Sequence, residues 1–256
     1  MTPSFSSACF ALAERYERGL HVGPWFGQAK VDGVRALAVR GAEGGVELVL
    51  RSGHVLSRDC ALCRELADLP EGYCLDGELV VPGANFEDTL AAVRRRDMAA
   101  LRFVAFDLFR PGELRRYRLR RDDLLRYVEG KTWVEPVLQW PGMLAEDCDV
   151  SQALAEMLAL GYEGLILRRD VPWEPGQSSD LLKVKPYCDR EFEVLELNRR
   201  GRYSTTATLK AENGLRFKVV VPCAVEVGAL VTVRYDGFTA RGVPRFARFI
   251  AVRDYE

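Results

Sequence analysis

From residue 25 to about 110 the chain alternates short apolar, β-branched runs with glycine or proline breaks: AKVDGVRALAVRG, GVELVLRSG, YCLDGELVVPG and LRFVAFDLFRPG. Runs bounded in this way predict strands. Helical spacing intervenes at Arg58 to Ala67 and at Phe86 to Arg96, and again from Ser151 to Leu160, where Ser151 is the candidate N-cap. Near the start, Phe5, Cys9, Leu12, Tyr16 and Leu20 recur at roughly helical intervals and predict an amphipathic helix. After the strand-like EGLILRR, the segment DVPWEPGQSSD reads as a polar, proline-bearing loop leading into a strand at LLKVKPY. The style then changes. EFEVLELN, TATLKA, LRFKVVV, ALVTVRYDGF and RFARFIAVR are five strands in close succession, a count and spacing suited to a small barrel such as an OB-fold. The pattern thus predicts an α+β chain, with a mixed antiparallel domain over residues 1–187 and an all-β domain over 188–256, and no internal repeat.

Composition narrows this only a little. The 256 residues are 48% hydrophobic and 29% charged, as in an ordinary globular protein. The formal net charge of −1 is unevenly spread: from Cys188 onward 12 Lys+Arg face 9 Asp+Glu, giving +3 and leaving −4 for the first 187 residues. Basic clusters at Arg94 to Arg96, Arg115 to Arg121 and Arg199 to Arg202 can neutralise phosphates. With two histidines in the chain, a multi-histidine metal site is excluded, and CALC at Cys60 and Cys63 lacks the second close pair of a four-thiolate zinc site. The remaining cysteines read as reduced thiols. The N-terminus has no basic n-region and its apolar stretch is broken by Glu14 and Arg15, so neither a signal peptide nor a membrane span is expected; the expected location is the cytoplasm.

Only six of the 36 basic residues are lysine: Lys30, Lys131, Lys183, Lys185, Lys210 and Lys218. Arginine stays protonated at any working pH, whereas lysine can give up its proton and attack an electrophile. Lys30, just ahead of Asp32-Gly33, is therefore a candidate nucleophile as well as an ordinary surface residue. Five pieces weigh toward chemistry: KVDGVR at 30–35, LDGELV at 75–80, FVAFDLF at 103–109, EGLILR at 163–168 and LLKVK at 181–185. Each sets isolated charges in an apolar strand frame. Together they supply lysines, arginines and carboxylates suited to a nucleotide phosphate with a divalent ion.

In this order the five pieces resemble the ordered motifs of the covalent nucleotidyltransferases, and most closely the ATP-dependent DNA ligases. The resemblance implies a nucleotidyltransferase (ATP-grasp-like) domain followed by an OB-fold domain. It implies that Lys30 attacks the α-phosphate of ATP and carries AMP, that Arg35, Arg51, Lys183 and Lys185 contact phosphates or ribose, and that Glu78 accepts from the ribose. It further implies that Phe106 stacks on adenine, that Gln28 sits where the adenine amino group can be read, and that Glu163, with Asp32, holds Mg²⁺ or Mn²⁺. An NAD-dependent enzyme is disfavoured because 29 residues before Lys30 are too few for the extra domain it needs. Nicked duplex DNA is the implied partner of a monomeric enzyme, gripped through phosphates by Arg199, Arg200, Arg202, Arg241, Arg245 and Arg248. Arg253 and Asp254 fall near the last motif of the family. The competing readings are an RNA ligase or capping guanylyltransferase, and a non-catalytic nucleic-acid-binding module.

Overall fold

In the computed structural model, which describes residues 10–21, 23–41, 44–200, 204–222, 224–239 and 241–253, the chain separates into two compact units, Met1–Val184 and Lys185–Glu256. The division falls three residues before the one read from the pattern. Of the expected N-terminal helix, Phe5 and Cys9 lie outside the described residues. Leu12 belongs instead to a strand, β1 (Ala11–Arg15), which pairs in parallel with a later strand of the same unit. Edge pairing outweighs a helical spacing too short to bury a face of its own.

The first unit continues with β2 (Trp25–Lys30), β3 (Val34–Arg40), β4 (Val46–Leu50), β5 (Val55–Ser57), α1 (Ala61–Glu65), β6 (Cys74–Val80), α2 (Phe86–Arg95) and β7 (Arg102–Phe109). After these come α3 (Tyr117–Val128), β8 (Val134–Pro136), β9 (Gln139–Leu144), α4 (Asp147–Ala159), β10 (Gly164–Arg168) and β11 (Gly176–Val184). Two mixed sheets result, ordered β1-β11-β10-β2-β9 and β5-β4-β3-β6-β7-β8. The second sheet is covered on both faces, which is why β3, β6 and β7 read as nearly continuous apolar runs. On β3, Ala36 and Ala38 pack with Leu62 of α1, Ala92 of α2 and Leu124 of α3. Its opposite face, Leu37 and Val39, packs with Phe10, Trp173 and Leu181, and there Trp173 stacks on Phe109 at 3.8 Å between ring centroids. Behind the first sheet, Trp25, Leu165 and Leu182 bury against Val150, Ala153 and Met157 of α4.

Helix α2 lies where its spacing predicts, and α4 starts earlier. Asn85 caps α2 by accepting from the Asp88 N–H at 2.9 Å. Helix α4 begins four residues before Ser151, because Glu146 and Asp149 form a reciprocal capping box. The polar GQSSD, read as loop, opens β11 and pairs with β1.

In the second unit β12 (Cys188–Arg200), β13 (Ser204–Lys210), β14 (Arg216–Val221), β15 (Leu230–Tyr235) and β16 (Arg248–Val252) form one sheet, β14-β13-β12-β15-β16. Strand β12 makes the sheet curl, since its first half pairs with β15 and its second half with β13. Alternation is strict on β14, where Phe217, Val219 and Val221 face a core shared with Phe192, Val231 and Tyr235.

Candidate active site

Lys30 ends β2 in the first sheet, and four residues later the chain has entered the second sheet as β3. Gly33 permits this crossing: a Cβ there would lie 2.5 Å from the Leu79 carbonyl oxygen and 2.9 Å from Val80 Cγ1. In the strand beyond, Gly77 answers a similar demand, since a Cβ would lie 2.4 Å from the Phe103 ring and 2.5 Å from the Val104 oxygen. The Asp-Gly-Glu run is thus the middle of β6, with a register shift beside Gly77, and not a turn.

The crossing brings charged groups from both sheets together. Lys30 Nζ donates to the Glu163 carboxylate, and the Glu163 N–H donates to the Lys30 carbonyl at 3.0 Å, so side chain and backbone clamp the same two residues. Arg35 stands opposite Glu78 in the β3–β6 register. Glu78 Oε2 is buried with no hydrogen-bond partner, and burial pushes its carboxyl up to about 7 against the pull of Arg35 and Lys30, with Asp76 and Glu163 adding to the rise. An acceptor held dry and unpaired costs free energy unless a donor reaches it. That oxygen suits a ligand hydroxyl.

Arg35 is held by both carboxylate oxygens of Asp76, each at 2.6 Å, and its guanidinium lies 4.4 Å from the centroid of Phe106. Burial alone would lower its pKa, but Asp76, joined by Glu78 and Asp107, more than offsets this and raises it, so Arg35 stays charged. Phe106 itself is buried among Val104, Val137 and Leu165. Asp32 is part-buried in the β2–β3 connection, and Lys183 is exposed on β11 opposite Ile166. Arg51 is exposed in the turn after β4.

Gln28, expected where a base is read, is 2% exposed and committed at both ends of its amide. Nε2 donates to the Phe106 carbonyl at 3.3 Å and to the Tyr117 hydroxyl at 2.7 Å, while Oε1 accepts from Arg168 Nε at 3.2 Å. A carbonyl only accepts and a guanidinium only donates, so the orientation of the amide is determined. The structure thus gives Gln28 the task of tying β2 to β7, α3 and β10. Behind it, Asp107 is fully buried between Arg120 and Arg168. Arg120, read as part of a phosphate-facing cluster, points inward and also donates to the Arg115 and Val171 carbonyls at 2.6 and 3.0 Å. Arg115 is paired with Asp123 and Glu113.

The second unit holds the remaining expected residues. Lys185 Nζ lies 3.4 Å from Asp236 Oδ2. Arg241 and Arg248 are exposed and Arg245 is part-buried. Arg199 and Arg200 lie in β12, but their side chains, all of Arg202 and all of Asp254 lie outside the described residues. Arg253 pairs with Glu191.

Among the described residues no group of three or more His, Cys, Asp or Glu could hold a metal. Mg²⁺ does not require one, because it commonly takes one or two carboxylates and completes its shell with phosphate oxygens and water. Cys60 and Cys63 are buried free thiols. No helix among the described residues is long and apolar enough to cross a membrane.

Comparison with known proteins places this geometry. A family model described as an ATP dependent DNA ligase domain matches residues 11–185, and one described as a DNA ligase OB-like domain matches residues 204–253. A DNA ligase of Haemophilus influenzae is 27% identical over 268 residues, spanning 96% of this chain and 95% of its own. A solved structure from a study of Lig E DNA ligases, described as binding DNA with a minimal scaffold, matches at 26% identity and a TM-score of 0.76, covering 96% of this chain and 99% of that one. The ATP-dependent ligase of bacteriophage T7, in complex with ATP, shares the fold at 15% identity and a TM-score of 0.60, over 96% and 99% of the two chains.

Proposed function

The chain belongs to the family of ATP-dependent DNA ligases, and from that membership we propose that it seals 5′-phosphate/3′-hydroxyl nicks in duplex DNA through a covalent lysyl-AMP. The observation that carries the proposal is the meeting of Lys30 Nζ with Glu163 beside the buried, unpartnered oxygen of Glu78.

Lys30 attacks the α-phosphate of ATP, a P–N bond forms as the bond to pyrophosphate breaks, and AMP remains on the lysine. The amine must lose a proton in this step, and the Glu163 carboxylate is already hydrogen bonded to it. Glu78 accepts from a ribose hydroxyl, an interaction that offsets the burial of its carboxylate. Phe106, already covered by Arg35, presents what remains of its ring edge and face to the purine. Glu163 and Asp32 would hold a divalent ion, which when bound neutralises developing phosphate charge. Lys183 and Lys185 add cationic charge for the phosphates, and Arg51 a further contact. AMP then passes to the 5′-phosphate of the nick, and the 3′-hydroxyl displaces it to close the strand.

Duplex contact by Arg199, Arg200, Arg202, Arg241, Arg245 and Arg248 is mainly to phosphates, since sealing must tolerate sequence. A joining assay on a labelled nicked duplex tests the proposal. Sealing should require ATP, a divalent ion and the 5′-phosphate. Failure to join any nick under those conditions, or joining confined to RNA strands, would refute it.

A further inference from the structure

Seven cysteines are spread along the chain, and two of them meet. Cys60 is the N-cap of α1 and Cys63 its third residue, so the first turn of the helix brings one thiol over the other. The sulfurs lie 3.2 Å apart, about 1.2 Å beyond the length of a disulfide bond. Cys60 Sγ accepts from the Cys63 N–H at 3.3 Å, and Cys63 Sγ lies 3.9 Å from the Ser57 carbonyl oxygen. Of the remaining described cysteines, Cys74 is buried in the cluster on the other face of the sheet, while Cys148 and Cys188 are exposed and belong to different units. Cys9 and Cys223 lie outside the described residues.

The two thiols are not equivalent. Hydrogen bonding from Cys63, through its thiol and its N–H, favours a thiolate at Cys60 and holds its pKa below the usual cysteine value, against the opposing effect of burial. The same contact between the thiols, together with burial, raises the pKa of Cys63. Cys60 is 8% exposed and Cys63 3%, so the sulfur with thiolate character is also the one nearer solvent. A thiolate in contact with a protonated thiol is an arrangement in which an oxidised sulfur is resolved at once.

Position gives the pair a task. Cys60 and Cys63 pack in one cluster with Ala36 and Ala38 of β3 and Leu75 and Leu79 of β6, the strands that carry Arg35 and Glu78. A sulfinate here would set a permanent charge in the apolar layer behind those residues, and an unpaired buried charge is costly. A disulfide is neutral. One that spans a single helical turn closes a very short loop, so it forms and is reduced without rearranging the sheet.

We propose that Cys60 and Cys63 form a reversible redox site that takes hydrogen peroxide as its oxidant and spares the core of the first unit from irreversible oxidation. The Cys60 thiolate attacks one peroxide oxygen; an S–O bond forms, the O–O bond breaks and hydroxide leaves, giving a sulfenic acid. Cys63 then attacks the Cys60 sulfur, and the S–S bond forms as the S–O bond breaks and a second hydroxide leaves. The proton from Cys63 and the one Cys60 released on becoming a thiolate turn both hydroxides into water. Two thiols and one peroxide thus become one disulfide and two waters. A dithiol reverses the change by thiol–disulfide exchange. The site is independent of the ligase reading.

Trypsin leaves both cysteines in one peptide, residues 59–64. The test treats the full-length protein with hydrogen peroxide, then alkylates, digests and weighs it, with thermal unfolding and covalent labelling by ATP measured on the same samples. The wild type should lose two hydrogens from that peptide, regain them with dithiothreitol, and keep its melting temperature and labelling throughout. In Cys63→Ser, Cys60 has no resolving thiol and should gain two oxygens instead, with a fall in melting temperature that dithiothreitol does not restore. In Cys60→Ser, Cys63 should oxidise roughly tenfold more slowly than Cys60 does in Cys63→Ser. Melting Cys63→Ser and Cys63→Ala before peroxide is added separates a folding defect from an oxidative one. A wild-type peptide that stays reduced while Cys148 and Cys188 react, or that accumulates sulfinate as fast as Cys63→Ser, would overturn the inference. So would a disulfide that lowers the melting temperature as much as the sulfinate does. If the disulfide forms but ATP labels nothing even before peroxide, the ligase reading fails and the redox site stands.

Discussion

Replacing Glu78 by glutamine should make the protein more stable above neutral pH while impairing it as an enzyme. The Glu78 carboxyl is pushed by burial from its ordinary 4.5 up to about 7, with one oxygen unpartnered. Below about pH 4.5 the folded and unfolded chains both carry this proton, and burial costs nothing extra. As the pH rises toward 7 the unfolded chain has released the proton and the folded chain retains it, so stability falls with each increment of pH. The loss is about 1.4 kcal/mol per pH unit, or on the order of 3 kcal/mol over the whole interval, and it is complete above about 7. Glutamine does not titrate. Urea unfolding of Glu78→Gln and wild type, compared at pH 5, 6, 7 and 8, should therefore give stability curves that are close at pH 5 and diverge in favour of the variant toward pH 8. Subtracting the two removes the titration of every other group. Parallel curves would refute the claim that this carboxylate is held dry at the cost of stability, and full ligase activity in the variant would refute its role as a ribose acceptor.

Other perturbations address the frame around it. Asp107→Ala leaves Arg120 and Arg168 buried without their shared carboxylate, and should cost about 3–5 kcal/mol in urea unfolding; a loss under about 1 kcal/mol would mean the network is not the support described. Gly33→Ala must push aside the Leu79 carbonyl and Val80, and should destabilise by roughly 1–3 kcal/mol as overpacking does, with a comparable loss for Gly77→Ala against Phe103. A neutral effect at both sites would contradict the close approach of the β2–β3 crossing to β6 and of β6 to β7. Glu163→Gln keeps the shape of the side chain while removing the carboxylate that meets Lys30 and would hold the divalent ion, and should slow covalent labelling by about 10²-fold or more; an unchanged rate at saturating ATP and divalent ion would remove that carboxylate from both roles.

The residues that could be read from sequence are those whose chemistry contradicts their surroundings. Lys30, Glu78 and Glu163 are charges within apolar strand frames, and a lysine is conspicuous in a chain otherwise served by arginine. The strands themselves were legible because glycine and proline punctuate them. Helix α3 was not: its basic cluster reads as charge available to phosphates, whereas Tyr117, Arg120 and Leu124 point inward. Nothing local distinguishes Arg120 from its exposed neighbours, since its partner Asp107 arrives from β7. Strand β1 was misread for a related reason. Its hydrogen bonds go to β11, more than 160 residues away in sequence, and no spacing within residues 5 to 20 encodes that partner. Gln28 shows a further limit: its position along the chain suggested a base reader, while Arg168, Tyr117 and the Phe106 carbonyl, contributed by three other segments, engage its amide.

The central claim is that Lys30 is the nucleophile, and intact-protein mass spectrometry after incubation with ATP and Mg²⁺ tests it most directly. The account predicts a mass gain of one AMP that maps to Lys30, is labile to acid as a phosphoramidate must be, is absent in Lys30→Ala, and disappears when nicked duplex is added. No gain, a gain that survives in Lys30→Ala, or one mapping to a different residue would contradict it.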